Sequence, residues 1–68
     1  MNWRQFIRLM KIDERAARAK YQSAAKAAKS PAIKEILEKL AYEEEVHIGV
    51  LEKFEKDLKV LLAKDKKL

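Results

Sequence analysis

The sequence predicts an all-α protein, an antiparallel two-helix hairpin that pairs with a second copy to form a four-helix bundle. Three observations predict this fold. The chain is rich in Ala, Leu, Lys and Glu with one Gly and one Pro, a composition typical of long helices. It has one strong breakpoint, and its apolar residues recur at steps of three and four on both sides of that breakpoint.

The breakpoint is the dipeptide Ser30-Pro31. Serine is a favoured N-cap, and proline is best tolerated at the first helical position, where its missing N–H costs nothing. Proline also disfavours the helical conformation in the residue before it. We therefore expect one domain over residues 1–68, with helix 1 at about 2–29 and helix 2 at about 31–64. So short a connection requires the helices to be antiparallel neighbours.

The apolar periodicity runs the length of both predicted helices. Such a stripe faces partner helices in a bundle. Further apolar residues widen each stripe beyond what a two-stranded seam needs, so a second hairpin would have to cover the surface left over. The predicted seam consists of Trp3, Ile7, Met10, Glu14, Ala17, Tyr21, Ala24 and Ala28 in helix 1, and of Ile33, Leu37, Leu40, Glu44, His47, Leu51, Phe54, Leu58 and Leu61 in helix 2.

Length and composition limit how the fold is stabilised. A 68-residue chain buries little apolar core by itself. It has no cysteine, which excludes disulfides, thiolate zinc sites and iron–sulfur clusters. Oligomerisation, a metal held by oxygen and nitrogen ligands, or both, remain as sources of stability.

Charge patterning argues against a membrane or a nucleic acid as partner. The longest run without a charged residue is six residues, 46–51, far short of a membrane span. The N-terminal residues lack the apolar run of a secretory signal, so we expect a cytoplasmic protein. Most of the net charge of +5 comes from scattered lysines and from the tail at 64–68, which favours a solvated helix surface over a nucleic-acid site.

Ionisable residues interrupt the seam near the middle of each helix. Glu44 and His47 are spaced i, i+3 and share one face of helix 2. Glu14 precedes the breakpoint by about as many residues as Glu44 follows it, which places them ~24 and ~21 Å from the turn at ~1.5 Å per residue. A buried carboxylate is usually paired or bound to metal. Glu43 and Glu45 point away from the seam by helical phase.

Two such hairpins would bring four Glu and two His to one level. Glu-x-x-His with one Glu from each neighbouring helix is the ligand arrangement of di-iron carboxylate bundles. Carboxylates with imidazole suit iron or manganese. We therefore expect two iron ions per dimer, or manganese, bound by Glu14, Glu44 and His47 of each chain. The alternative is a metal-free interaction module in which these polar groups set the register.

At this point the sequence resembles rubrerythrin, in the ferritin-like superfamily. The resemblance rests on Glu14-Arg-Ala-Ala-Arg-Ala-Lys-Tyr21 and on Ala41-Tyr-Glu-Glu-Glu-Val-His47, within residues 10–55. It implies a ferritin-like half-bundle in which Glu14, Glu44 and His47 are iron ligands and Tyr21 hydrogen-bonds a ligand carboxylate. A plain seam residue with a satisfied hydroxyl is an equally good interpretation of Tyr21.

The sequence also departs from the rubrerythrin pattern. There is one helix pair instead of two, so two chains must replace one, as a homodimer or a higher homo-oligomer. These 68 residues contain no Cys-rich rubredoxin segment, so we expect electrons to come from an external donor. Ala17 stands where an additional family carboxylate would lie. The resemblance thus implies an oxidoreductase that oxidises Fe(II) or reduces O2 or peroxide, and Ala17 favours ferroxidase over peroxidase chemistry.

Overall fold

The computed structural model describes residues 1–67, which form two antiparallel helices that pack along their length, α1 (Trp3–Ala27) and α2 (Pro31–Lys67). The molecule is a thin rod of 54 × 17 × 14 Å. Residue 68, the predicted end of the domain, lies outside the described residues. No helix within residues 1–67 is both long enough and apolar enough to cross a membrane.

Local capping explains where each helix begins. The Asn2 side chain accepts a hydrogen bond of 3.0 Å from the backbone N–H of Gln5, which satisfies one of the free amides at the start of α1. The Ser30 hydroxyl accepts one of 3.3 Å from the N–H of Ile33, and Pro31 is the first residue of α2. The roles expected of Ser30 and Pro31 from the sequence are therefore confirmed.

The helix ends differ slightly from the sequence prediction. The last residue of α1 is Ala27, since Ala28 is already extended with ψ of 128°. Its N–H still bonds the carbonyls of Ala24 and Ala25, which closes the last turn. The sequence prediction left a single residue, Ser30, between the helices, which is too few to reverse the direction of the chain. The connection instead takes three residues, 28–30. At the other end α2 continues to Lys67 instead of stopping near 64, because no breaker follows.

Only part of the predicted apolar stripe is covered inside the hairpin. The buried apolar residues among those described are few, and just two of them, Ile7 and Leu58, belong to the predicted seam: Ile7, Ala25, Ala41, Ile48 and Leu58. Several seam residues are instead exposed, including Trp3, Ile33, Leu61 and His47. The two helices thus meet along one edge of each stripe, and the rest of the stripe faces outward.

Aromatic side chains cluster at the end of the hairpin that lies away from the turn. Trp3 packs edge-on against Phe6 with ring centroids 5.9 Å apart, and lies 6.4 Å from the ring of Phe54. Such pairs add stability beyond the area that they bury. Gly49, in the middle of α2, has no atom within 4 Å of the place a Cβ would occupy, so packing within the described chain does not require a glycine there.

Candidate metal centre

The structure brings together the three residues that the sequence singled out as metal ligands. Glu14 lies in the middle of α1, and Glu44 and His47 lie one turn apart on α2. One side-chain donor atom from each falls within 4.8 Å of the other two. The helices bring them to one level because the turn near residue 30 lies about midway between Glu14 and Glu44 in the sequence. Their role as ligands remains a prediction.

The distances within this cluster suit a shared cation. His47 Nδ1 lies 3.4 Å from a carboxylate oxygen of Glu14 and 3.7 Å from one of Glu44. Two ligand atoms ~2.1 Å from one ion and at right angles to each other would be ~3 Å apart. A small inward rotation of the side chains would therefore let all three atoms contact one ion. Without an ion, the long contact between His47 and Glu14 is a weak hydrogen bond.

The exposed fraction of the side chain increases from Glu44 to Glu14 to His47, so the cluster opens on one face of the hairpin. Glu44 is 18% exposed, Glu14 27% and His47 56%. Around His47 this face is apolar, a shallow groove of about 300 Å³ lined by Phe6, Met10, Val50 and Leu51 together with Glu14 and His47. We call it the open face. The cluster thus opens onto an exposed apolar surface.

Tyr21 lies two turns after Glu14 but does not contact the cluster in the single chain. Its side chain is half-buried and lines a groove with Asp13, Ala17 and Lys20. Within residues 1–67 its hydroxyl makes no hydrogen bond to any of the three cluster residues. The expected hydrogen bond to a ligand carboxylate therefore stays a prediction.

Glu43 and Glu45 lie outside the cluster, as their helical phase predicted. Both are exposed. Glu45 lines a different groove, on the far side of the hairpin, with Gln22 and Lys26. Of the three consecutive glutamates, only Glu44 lies beside Glu14 and His47.

Sequence reasoning missed a second polar pair between the helices. Lys11 Nζ lies 3.1 Å from a carboxylate oxygen of Glu55, and both side chains are half-buried. The interhelix surface is therefore interrupted by charge at two levels, whereas the apolar periodicity predicted an interruption at one level. The sequence could have predicted a buried charge at Glu55. This residue follows Glu44 by eleven residues, or three helical turns, and therefore lies on the same side of α2.

This pair governs the titration of Glu55. The hydrogen bond from Lys11 lowers the pKa of the Glu55 carboxyl below 4.5, partial desolvation opposes this, and the charges of Lys11, Arg8 and Arg4 lower it further. A carboxyl with a depressed pKa in the folded state stabilises the fold above its ordinary pKa. That stabilisation is lost as the pH falls below 4.5 through the lowered value.

We expect Lys11→Met to raise the pKa of Glu55 back toward 4.5, because it removes the main cause of the shift. An NMR titration of the side-chain carboxyl carbon measures this. The melting temperature of wild type should exceed that of Lys11→Met at pH 7, and the difference should shrink below pH 4.5. Lys53→Met is the matched control, since Lys53 pairs with Asp57 at 2.7 Å elsewhere on α2. If Lys53→Met changed the pKa of Glu55 by as much as Lys11→Met does, the change would result from the lower net charge of the protein and not from the loss of the Lys11 contact.

Comparison with known proteins agrees with this architecture. The family model for rubrerythrin matches residues 10–67. No curated protein and no solved structure matches the chain significantly. The matched residues cover most of the chain and include the whole Glu14, Glu44 and His47 cluster, and the chain therefore belongs to the rubrerythrin family.

Proposed function

We propose that two chains pair through their open faces and assemble a di-iron carboxylate centre that oxidises Fe(II) or reduces O2 or peroxide. The observation that carries this proposal is the clustering of Glu14, Glu44 and His47 at the edge of an apolar surface. A ferritin-like di-iron centre uses a Glu from each of two helices and Glu-x-x-His from each of two others. One chain holds half of that set.

The donor chemistry of the cluster fits iron. Two carboxylates and one imidazole form a mainly hard donor set, which suits iron or manganese better than soft metals. When bound, iron would supply the one-electron steps by which O2 or peroxide is reduced. Two copies of the cluster contribute four negative charges, which match the charge of two divalent ions. The same donor set with no metal would be strongly self-repelling.

Each residue of the cluster would have a distinct task. Glu14 and Glu44 would bind the metal from opposite helices and offset its charge. His47 would bind through Nδ1, the ring nitrogen nearest both carboxylates, with its proton held on Nε2. Phe6, Met10 and Val50 would exclude water from one side of the centre once a partner covers them, which strengthens the electrostatic interactions inside.

Dimerisation follows from the apolar surface that the single hairpin leaves uncovered. Monomeric soluble proteins rarely expose large contiguous apolar patches. Many large apolar side chains of this chain are exposed, and several of them lie on the open face or at its end, including Trp3, Phe6 and Val50. A two-fold axis at the level of the metal centre would cover this face and bring the two ligand sets together. A higher homo-oligomer built of such dimers would serve equally.

We expect light scattering to give at least twice the 7.9 kDa mass of one chain, and Val50→Glu to shift the protein toward monomer. A carboxylate at residue 50 would be buried against the partner without a counter-ion, which typically costs several kcal/mol. Val60→Glu is the matched control, because Val60 is as exposed as Val50 in the single chain (61% against 62%) but does not line the open face. A folded, cooperatively melting wild-type monomer would contradict the model.

Iron content tests the proposed function directly. Protein purified under iron-replete conditions should carry about one iron per chain, two per dimer. Stopped-flow oxidation of the Fe(II) form with O2 and with peroxide then separates the two activities, and Ala17 leads us to expect O2 to be at least as effective. A folded dimer that takes up neither iron nor manganese would instead support the metal-free interaction module.

A further inference from the structure

Most cations of α1 lie on one side of the helix, in a stripe with a single gap. Six of the seven basic residues in this helix recur at steps of four and three, close to the ~3.6 residues of a helical turn, with Gln22 filling the one gap. The stripe therefore stays on one side of the helix for ~33 Å, and neither acidic residue of α1 belongs to it. Its members are Arg4, Arg8, Lys11, Arg15, Arg18 and Lys26.

At the end away from the turn, this stripe meets basic residues of α2. Lys56 and Lys59 line the same groove, of about 600 Å³, as Arg4, Arg8 and Lys11. Two acidic residues, Glu52 and Glu55, also line it, and the Glu55 carboxylate is hydrogen-bonded to Lys11. Five cations against two anions leave the groove with a net charge of +3. The cations that looked scattered in the sequence are therefore clustered in the fold.

This basic groove lies away from the open face. At ~100° per residue, the α1 residues that line the basic groove and those that line the open face point on average ~125° apart, so the two surfaces occupy different sides of that helix. No residue lines both grooves. A partner chain on the open face would leave the basic groove exposed, and a dimer would present two of them.

We propose that the basic groove binds the sugar–phosphate backbone of duplex nucleic acid without regard to base sequence. Arginine and lysine neutralise phosphates, and the release of counterions drives such binding. Within the groove, Arg4, Arg8 and Lys11 follow one another at ~4.5–6 Å along the axis of α1, and such a row of cations suits a regular linear polyanion. The groove contains no aromatic residue on which unpaired bases could stack, which favours a duplex over a single strand. This revises the expectation, drawn from the sequence alone, that nucleic acid is not a partner.

Fluorescence anisotropy with a labelled 30-base-pair duplex tests the proposal, using the metal-free full chain at a series of KCl concentrations. We expect affinity to fall with salt at a slope of about −4 in log K against log[KCl], which corresponds to about four phosphates. Two duplexes of unrelated sequence should bind within about twofold of each other. The triple variant Arg4→Gln, Arg8→Gln, Lys59→Gln should lose about 2.7 of that slope, ~0.9 for each phosphate contact.

The matched control removes the same number of charges elsewhere, by Lys20→Gln, Lys39→Gln and Lys53→Gln, none of which lines the groove. It should retain the slope to within about one, with both variants checked for folding by circular dichroism. An equal loss of slope in both variants, or no binding at 50 mM KCl, overturns the proposal. Polyglutamate of equal total charge should compete about tenfold less well than unlabelled duplex, and equal competition would overturn the proposal in favour of an acidic protein partner.

Discussion

Glu14→Ala, Glu44→Ala and His47→Ala should each abolish iron binding, taking the iron content from about two per dimer to near zero. In a two-fold dimer each substitution removes two of the six protein ligands, and the remaining carboxylates cannot replace them because the helices hold them at fixed positions. Among the Asp, Glu and His side chains that the structure describes, these three form the one group that could hold a metal ion, with donor atoms within 4.8 Å of one another. Iron content per chain after anaerobic loading with Fe(II), with circular dichroism to confirm helix content, measures the effect.

The chain supplies unusually close controls for this experiment. Glu43 and Glu45 flank Glu44 on the same helix and carry the same side chain, but they are exposed and lie outside the cluster. Glu43→Ala and Glu45→Ala should therefore leave iron binding largely intact, since neither removes a ligand. Equal losses at all five positions would mean that iron binds to exposed carboxylates along α2 and that the proposed centre does not exist.

Glu44→Leu should have opposite effects on the metal-free and the iron-loaded protein. Glu44 is the most buried donor of the cluster within one chain, and pairing would bury it further beside three other carboxylates. Desolvation and mutual repulsion then oppose folding when no metal is bound. Leucine would extend the apolar stripe of Leu37, Leu40 and Leu51. Replacing a buried charge by a packed apolar group is often stabilising by ~1–4 kcal/mol.

Iron should reverse this order of stability. A ligand that binds only the folded state stabilises it by mass action, ~2.7 kcal/mol at a hundredfold excess over its dissociation constant. Wild type should gain that stability from Fe(II), and Glu44→Leu should gain almost none because a ligand is missing. The test compares the melting temperatures of the two proteins, measured once with a chelator and once with Fe(II) under anaerobic conditions. A difference of 1 kcal/mol corresponds to roughly 2–8 °C, depending on the size of the folding unit.

Glu43→Leu is the control for the effect of adding a leucine to α2. Residue 43 is exposed and outside the cluster, so this variant should keep its response to Fe(II) and gain little stability in chelator. If Glu44→Leu melts below wild type in chelator, the Glu44 carboxylate stabilises the metal-free fold. Its contact with His47 at 3.7 Å would then matter more than such half-exposed pairs usually do, and the register-setting interpretation would gain support.

The main features of the fold were predictable because they depend on local chemistry. The cap by Ser30, the place of Pro31 and the lack of other strong breakers depend only on neighbouring residues, and they define two helices and one turn. The convergence of Glu14 with Glu44 also follows from local facts, since a constant rise per residue and a short turn match their levels. The exact end of α1 was less predictable, because the number of residues needed to reverse the chain depends on how the two helices pack.

The rotation of each helix about its own axis could not be predicted from the periodicity. A wide apolar stripe fits several orientations, and packing selects the one that buries Ala25, Ala41 and Ile48 inside the hairpin. This choice turns His47 outward, places Lys11 beside Glu55 and aligns Arg4 and Arg8 with the lysines of α2. The sequence alone thus determined the helices, the turn and the level of the three donors. Only the tertiary structure decided which faces stay open, because that depends on contacts between residues far apart in the chain.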